Sequence, residues 1–185
     1  MNDKLKEMFA PTVVLFVICL IASLLLVATY QITAPLIEKI TIANANAART
    51  QVLTEASGFK QIEDIELING VTEVYEAVNG VGYVITSQFK GFGGMVVVMT
   101  GMDSKGNVTK VKVTDASAET PGLGSKATVP AYLDQFKGAS MITSDKTSAD
   151  ATYVSAVTGA TYTSRAVFSS VSAALQQYSL LGGGF

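Results

Sequence analysis

From Met8 through Ile37 the chain carries no charged residue, and Thr12 to Tyr30 is almost wholly Val, Leu, Ile, Phe and Ala. A helix needs roughly 20 apolar residues to cross the hydrocarbon core, where it satisfies its backbone polar groups internally. The run is long enough to do so, so one membrane-spanning helix is expected, and any other fold must be built from the residues after it. A cleaved secretory leader is the competing reading. Its apolar region would be about 7–15 residues and a small-residue cleavage site should come next, so an uncleaved anchor is preferred. Lys4 and Lys6 lie closer to the span than Lys39 and Arg49 on its other side, a slight bias toward a cytoplasmic N-terminus. Cys19 falls inside the span and reads as a small packing residue.

The 185 residues leave room for one domain beyond this anchor. An apolar share of 49% with only 15% charged residues is high for a small soluble domain. With no His and one Cys, most metal sites, Ser-His-Asp or Cys-His catalysis and a self-contained iron-sulfur cluster are excluded. No Gly-x-Ser-x-Gly elbow is present, so a hydrolase is the weakest option. A net charge of -2 without a basic stripe argues against nucleic acid as a partner. If the chain does redox chemistry, a bound organic cofactor must carry it.

The chain reads as three segments in order. Residues 1–35 form the tail and span, with Pro11 at the start of the apolar run and Pro35 at its end. Residues 36–65, with Leu36, Ile37, Ile40, Ile42, Ala43, Ala47 and Ala48, read as a helical stalk reaching toward Leu53. Residues 66–185 form the domain. There Val71, Val74, Tyr75 and Val78 are parted from Tyr83, Val84 and Ile85 by Asn79-Gly80, a hairpin signal. Met95 to Thr100 is a dense strand, Asp103 to Asn107 its turn, and Val108, Val111 and Val113 alternate with Lys110 and Lys112 as a strand with one wet face. The expected class is α+β, with a twisted antiparallel sheet of four to six strands and flanking helices. A short helix is expected over Val129 to Phe136 and a last strand over Tyr153 to Ala156. A helix over Thr163 to Tyr178 is expected from apolar residues at Val167, Phe168, Val171, Ala174, Leu175 and Tyr178. The closing Gly182-Gly183-Gly184 is expected to fray.

The run Thr158-Gly159-Ala160-Thr161-Tyr162-Thr163-Ser164 opens that last helix. Hydroxyls there can cap the first backbone amides, which lack partners. The same amides, with a Gly that lets the backbone approach closely, also make an anion site suited to phosphate. Glu119-Thr120-Pro121-Gly122-Leu123-Gly124 is a turn that exposes amides; on composition alone it is an ordinary loop.

The first run resembles the flavinylation motif of FMN-binding domains, and the Glu119 to Gly124 run resembles the loop that faces the flavin in them. Gly91-Phe92-Gly93-Gly94, and after a strand Gly101-Met102-Asp103, are similar to that family's Gly-rich hairpin. Over nearly the whole chain, membrane segment included, the likeness is to the G subunits of the Rnf complex. The resemblance departs at Ser155, where the motif usually carries Asp, and at Ser117, where the family often has His.

What the resemblance implies is specific. FMN would be esterified through its phosphate to Thr161 by a separate flavin transferase. Thr158, Thr163 and Ser164 would donate to the phosphate, Gly159 would let it approach, and Ala160 belongs to the same site. Thr120, Leu123 and Gly124 would lie against the ring, Glu119 would meet the ribityl chain or brace the loop, and Tyr162 would stack or join the core. The family's members relay electrons with the other membrane subunits of an ion-translocating ferredoxin:NAD oxidoreductase, anchored in the cell membrane by one span. Their N-terminus is cytoplasmic and their flavin domain outside. Two alternatives stand beside this reading. One is a flavoprotein of another system, such as the C subunit of the Na+-pumping NADH:quinone reductase or a lone extracytoplasmic flavin reductase. The other is an anchored binding module without a cofactor.

Overall fold

The computed structural model describes residues 3–182. Gly183 and Gly184, expected to fray, lie outside the described residues. The chain divides into two compact units, Met1–Ala45 and Asn46–Phe185.

The first unit is carried by helix α1 (Asp3–Val52), which has Pro11 and Pro35 inside it. The helix therefore continues through the proline that ends the apolar run, although that residue cannot bond the Gln31 carbonyl one turn back. Large apolar side chains from Val13 to Ile42 are exposed along it, among them Phe16, Leu26 and Ile32. Such a surface suits lipid and not water. Three hydroxyls in the apolar stretch turn back onto the helix. Ser23 Oγ donates to the Cys19 carbonyl at 2.7 Å, Thr29 Oγ1 to Leu25 at 2.8 Å and Thr33 Oγ1 to Thr29 at 2.9 Å. These three hydroxyl protons are then satisfied within the helix and not left bare among hydrocarbon. Among the described residues this helix is long and apolar enough to cross a membrane.

The second unit is built on a five-stranded antiparallel meander, β1 (Phe59–Gln61), β2 (Val71–Ala77), β3 (Gly82–Lys90), β4 (Met95–Asp103) and β5 (Val108–Asp115), in that spatial order. β2 and β3 are joined where Asn79-Gly80 was expected to turn, with Gly80 at φ +70° and its amide donating to the Ala77 carbonyl. Of the stalk expected over 36–65, only the part to Val52 is helical. Thr109 Oγ1 donates to the Val52 carbonyl at 2.6 Å and so occupies the helix end. Thr54 to Gly58 then release the chain into the edge strand β1, which pairs with β2.

Both faces of the sheet are covered. On one, Ala48, Val52 and Leu53 pack with Ala77, Val84 and Met99. There Arg49 lies 3.6 Å from the centroid of the Tyr75 ring and pairs with Glu73 at 3.4 Å. On the other face lies helix α3 (Thr161–Leu180), whose Val167, Val171 and Ala174 are fully buried against Ile85, Val98 and Met102. The helix is longer than expected at both ends. Gln177 of α3 is buried with its amide satisfied, accepting from the Ile68 amide and donating to the Glu66 carbonyl.

A 3-10 turn (Gly124–Thr128), helix α2 (Pro130–Leu133) and a second 3-10 turn (Asp134–Phe136) occupy the span expected to hold a short helix. The last strand is shorter than expected. β6 (Ile142–Thr143) and β7 (Thr152–Tyr153) form a small parallel pair, and the ladder stops there because Ser155 gives its amide and hydroxyl to Gln135 Oε1.

Tyr132 fixes α2 to the first turn of α3, its hydroxyl donating to the Ser164 carbonyl at 3.0 Å. Burial pushes its pKa up to about 12, against which the Ser164 bond acts only weakly. A phenol whose folded pKa lies above its unfolded value stabilises fully below pH ~10 and loses that contribution as pH climbs toward 12. Urea melts of the full chain in detergent at pH 8 and 11 check this. Tyr132→Phe is expected to cost about 1 kcal/mol at pH 8, and its stability should fall less than the wild type's between the two pH values.

Candidate functional site

Glu119 is 5% exposed, and both carboxylate oxygens have protein partners. Oε1 accepts from the Gly93 amide at 3.0 Å, and Oε2 accepts from Thr163 Oγ1. The carboxylate thus ties the β3–β4 hairpin and the Glu119–Gly124 loop to the start of α3. A Cβ at Gly91 would overlap Oε1, and one at Gly124 would stand 2.5 Å from Oε2. Those two glycines leave the carboxylate its space. It sits where a helix start favours negative charge.

α3 begins without a capping side chain. Ala160 is the N-cap residue, at φ -127° and ψ 34°, with no side-chain cap bond. The hydroxyls of the run divide into two kinds. Thr163 and Ser164 are each 1% exposed. Thr163 gives its proton to Glu119, while Ser164 Oγ accepts from the Val157 amide at 3.0 Å. Thr158 and Thr161 are exposed, and neither hydroxyl bonds to another described residue. Thr161 is the first residue of α3. Gly159 holds φ +82°, a conformation that favours glycine, and a Cβ there would press on Leu123 Cδ2 at 3.3 Å.

A cavity of about 330 Å³ opens between these segments. It is lined by Glu119, Thr120, Leu123 and Gly124 from the loop, Gly159, Ala160, Thr161, Tyr162 and Thr163 from the helix start, and Phe92 from the hairpin tip. Nine of the eleven residues singled out in the sequence therefore share one wall. Thr158 and Ser164 stand outside it. Phe92 and Tyr162 are 70% and 62% exposed, and their ring centroids are 6.0 Å apart at an interplanar angle of 52°. With Leu123 they make an apolar mouth open to a planar group, since aromatic rings pack well in offset and tilted contacts.

The chain matches the FMN-binding domain family over residues 91–176, the stretch from the hairpin tip into the C-terminal part of α3. It is 34% identical to the G subunit of the Na(+)-translocating ferredoxin:NAD(+) oxidoreductase complex of Acetobacterium woodii, over 94% of this chain and 92% of that protein. It belongs to the family of these G subunits. The likeness extends to the G subunit of the proton-translocating ferredoxin:NAD(+) oxidoreductase complex of Clostridium ljungdahlii, at 30% identity over 97% of this chain and 96% of that one. Among solved structures, Shewanella oneidensis NqrC aligns with a TM-score of 0.44 at 26% identity, covering 54% of this chain and 53% of that one.

The residues at the cavity fit a flavin nucleotide. Phe92, Leu123 and Tyr162 supply an apolar wall for a ring system, the glycines keep backbone close to the opening, and an unbonded hydroxyl stands at the helix start. Sequence reasoning placed Phe92 in the hairpin and gave it no part in the site; a large aromatic flanked by glycines was the available signal.

The carboxylate knot sets a prediction. Glu119→Ala leaves the Gly93 amide and Thr163 hydroxyl without their partner, and is expected to cost on the order of 2–3 kcal/mol. Glu119→Gln, which retains an acceptor for Gly93 and a group able to bond Thr163, should cost less than half as much. Urea unfolding followed by tyrosine fluorescence compares the two; equal losses would contradict the bonding described.

Proposed function

We propose that this chain is the membrane-anchored flavoprotein subunit of an ion-translocating ferredoxin:NAD oxidoreductase complex, relaying electrons through FMN joined by its phosphate to Thr161. The observation that carries the reading is the sorting of hydroxyls. Of the four Thr and Ser hydroxyls in the Thr158–Ser164 run, two are buried and bonded, and of the exposed pair Thr161 alone lines the cavity that both motifs build.

Bound FMN would supply the one- and two-electron chemistry that no side chain here provides. The protein's part is position and electrostatics. Esterification replaces the Oγ1–H bond of Thr161 by an Oγ1–P bond, with net loss of one water relative to free FMN, and leaves one negative charge on the diester. That charge lies at the start of α3, where the unpaired amides and the helix dipole stabilise an anion by about 1 kcal/mol. Thr163 and Ser164, their oxygens committed inward, set the angle from which Thr161 projects. Phe92, Leu123 and Tyr162 exclude water from one side of the cavity, and no residue need act as acid or base.

A span next to a covalent carrier makes sense if partners are fixed in the same membrane. The proposed partners are the other membrane subunits of the complex, and a flavin transferase matures the chain. The N-terminus faces the cytoplasm and the flavin domain the outside, where a diffusible cofactor would be lost. Denaturing gels of membranes from cells carrying the transferase test the attachment. Wild type should show a flavin-fluorescent band and an intact mass raised by FMN less one water, and Thr161→Ala should lose both. A fluorescent Thr161→Ala band would move the attachment elsewhere, and a dark wild type would remove the cofactor altogether.

A further inference from the structure

Thr161 is shared by two cavities. Besides the one that meets both motifs, a second of about 320 Å³ lies against the same threonine and is lined by Ser144, Tyr153, Arg165 and Phe168, among others. Arg165 follows Thr161 by four residues on α3, so the two occupy one face of the helix. Helical side chains lean toward the N-terminus and cover the turn before their own Cα. The guanidinium stem is thereby directed at the Thr161 end of the helix. Arg165 is exposed, and among the described residues it has no ion-pair partner. Lys146 adds a second positive charge on the same side, its Nζ 5.5 Å from the centroid of the Tyr153 ring. The neighbouring Asp145 carboxylate is taken up by the amide and hydroxyl of Thr147. On the far side of Thr163, the Glu119 carboxylate is held by its own two donors.

The two hollows thus differ in chemistry across one residue. The first has an apolar mouth suited to a ring, and the second is edged by Arg165, whose planar fork matches a phosphate in two-point fashion. We propose that Arg165 holds the phosphate of FMN beside Thr161, and that it makes the site select a phosphorylated flavin over riboflavin, which has the same ring and no phosphate. This rests on the reading of Thr161 as the flavin-bearing residue. Arg165 is a positioning residue here, placing the phosphate against the hydroxyl to which it becomes joined.

The test uses the full chain in detergent, produced without a flavin transferase, and titrates FMN and riboflavin separately by quenching of flavin fluorescence. Wild type is expected to bind FMN more tightly than riboflavin. Arg165→Gln should lose about tenfold in FMN affinity, the loss of one charge-assisted contact, with riboflavin affinity unchanged. Arg165→Lys, which keeps the charge without the fork, should restore part of the preference, and 0.5 M salt should shrink it more in wild type than in Arg165→Gln. Arg165 is exposed, so the variants should melt as wild type does.

An unchanged FMN-to-riboflavin ratio in Arg165→Gln overturns the proposal, as does an equal loss for both ligands. So does a wild type that binds neither. Attachment assayed in parallel with the transferase separates the two failures. If Thr161→Ala blocks FMN addition while the ratio ignores Arg165, only the phosphate contact falls. If no FMN is ever added to wild type, the reading of Thr161 falls with it.

Discussion

A single buried carboxylate joins three parts of the chain that are distant in sequence. Glu119 takes a backbone proton from the Gly91–Gly94 hairpin and a hydroxyl proton from α3, and belongs itself to the loop between them. A charge removed from water is costly unless its donors are in place, so the three segments are held in one arrangement or the charge is left stranded. The cavity is the space between those segments. Its existence therefore depends on Glu119, which both lines it and ties the three segments together.

The sheet makes that arrangement possible by being covered on both sides. The end of α1 packs on one face and α3 on the other, with Val84 and Met99 turned to the first and Ile85 and Val98 to the second. Strand alternation sends successive side chains to opposite faces, which accounts for the continuous burial of β3 and β4. The hairpin tip and the first residue of α3 are then fixed at the same edge of the layer. The site is a by-product of where two well-packed elements happen to begin and turn.

Much of this could be read from residues alone. Period-two alternation and Asn79-Gly80 are local signals, and they located β2 to β5 and their turns. β1 was not legible, because three residues with little burial acquire strand character only from pairing with β2. The opening of α3 was placed two residues late for a related reason. Threonines and serines read locally as caps, whereas Thr163 and Ser164 bond to residues 44 and 7 positions away and leave Ala160 at the cap. Both motifs of the site could be found as strings, and so could the threonine within the second. Phe92 could not, since its part comes from facing Tyr162 across a gap that no sequence interval records.

Thr161 stands at the head of a twenty-residue helix whose opposite face is closed into the core by Val167, Val171 and Ala174. The packed helix fixes where the backbone of Thr161 stands relative to the sheet. A group fastened there would hang from a fixed point on the domain. Its distance to a neighbouring redox centre would then turn on how that neighbour meets the Phe92 and Tyr162 rim.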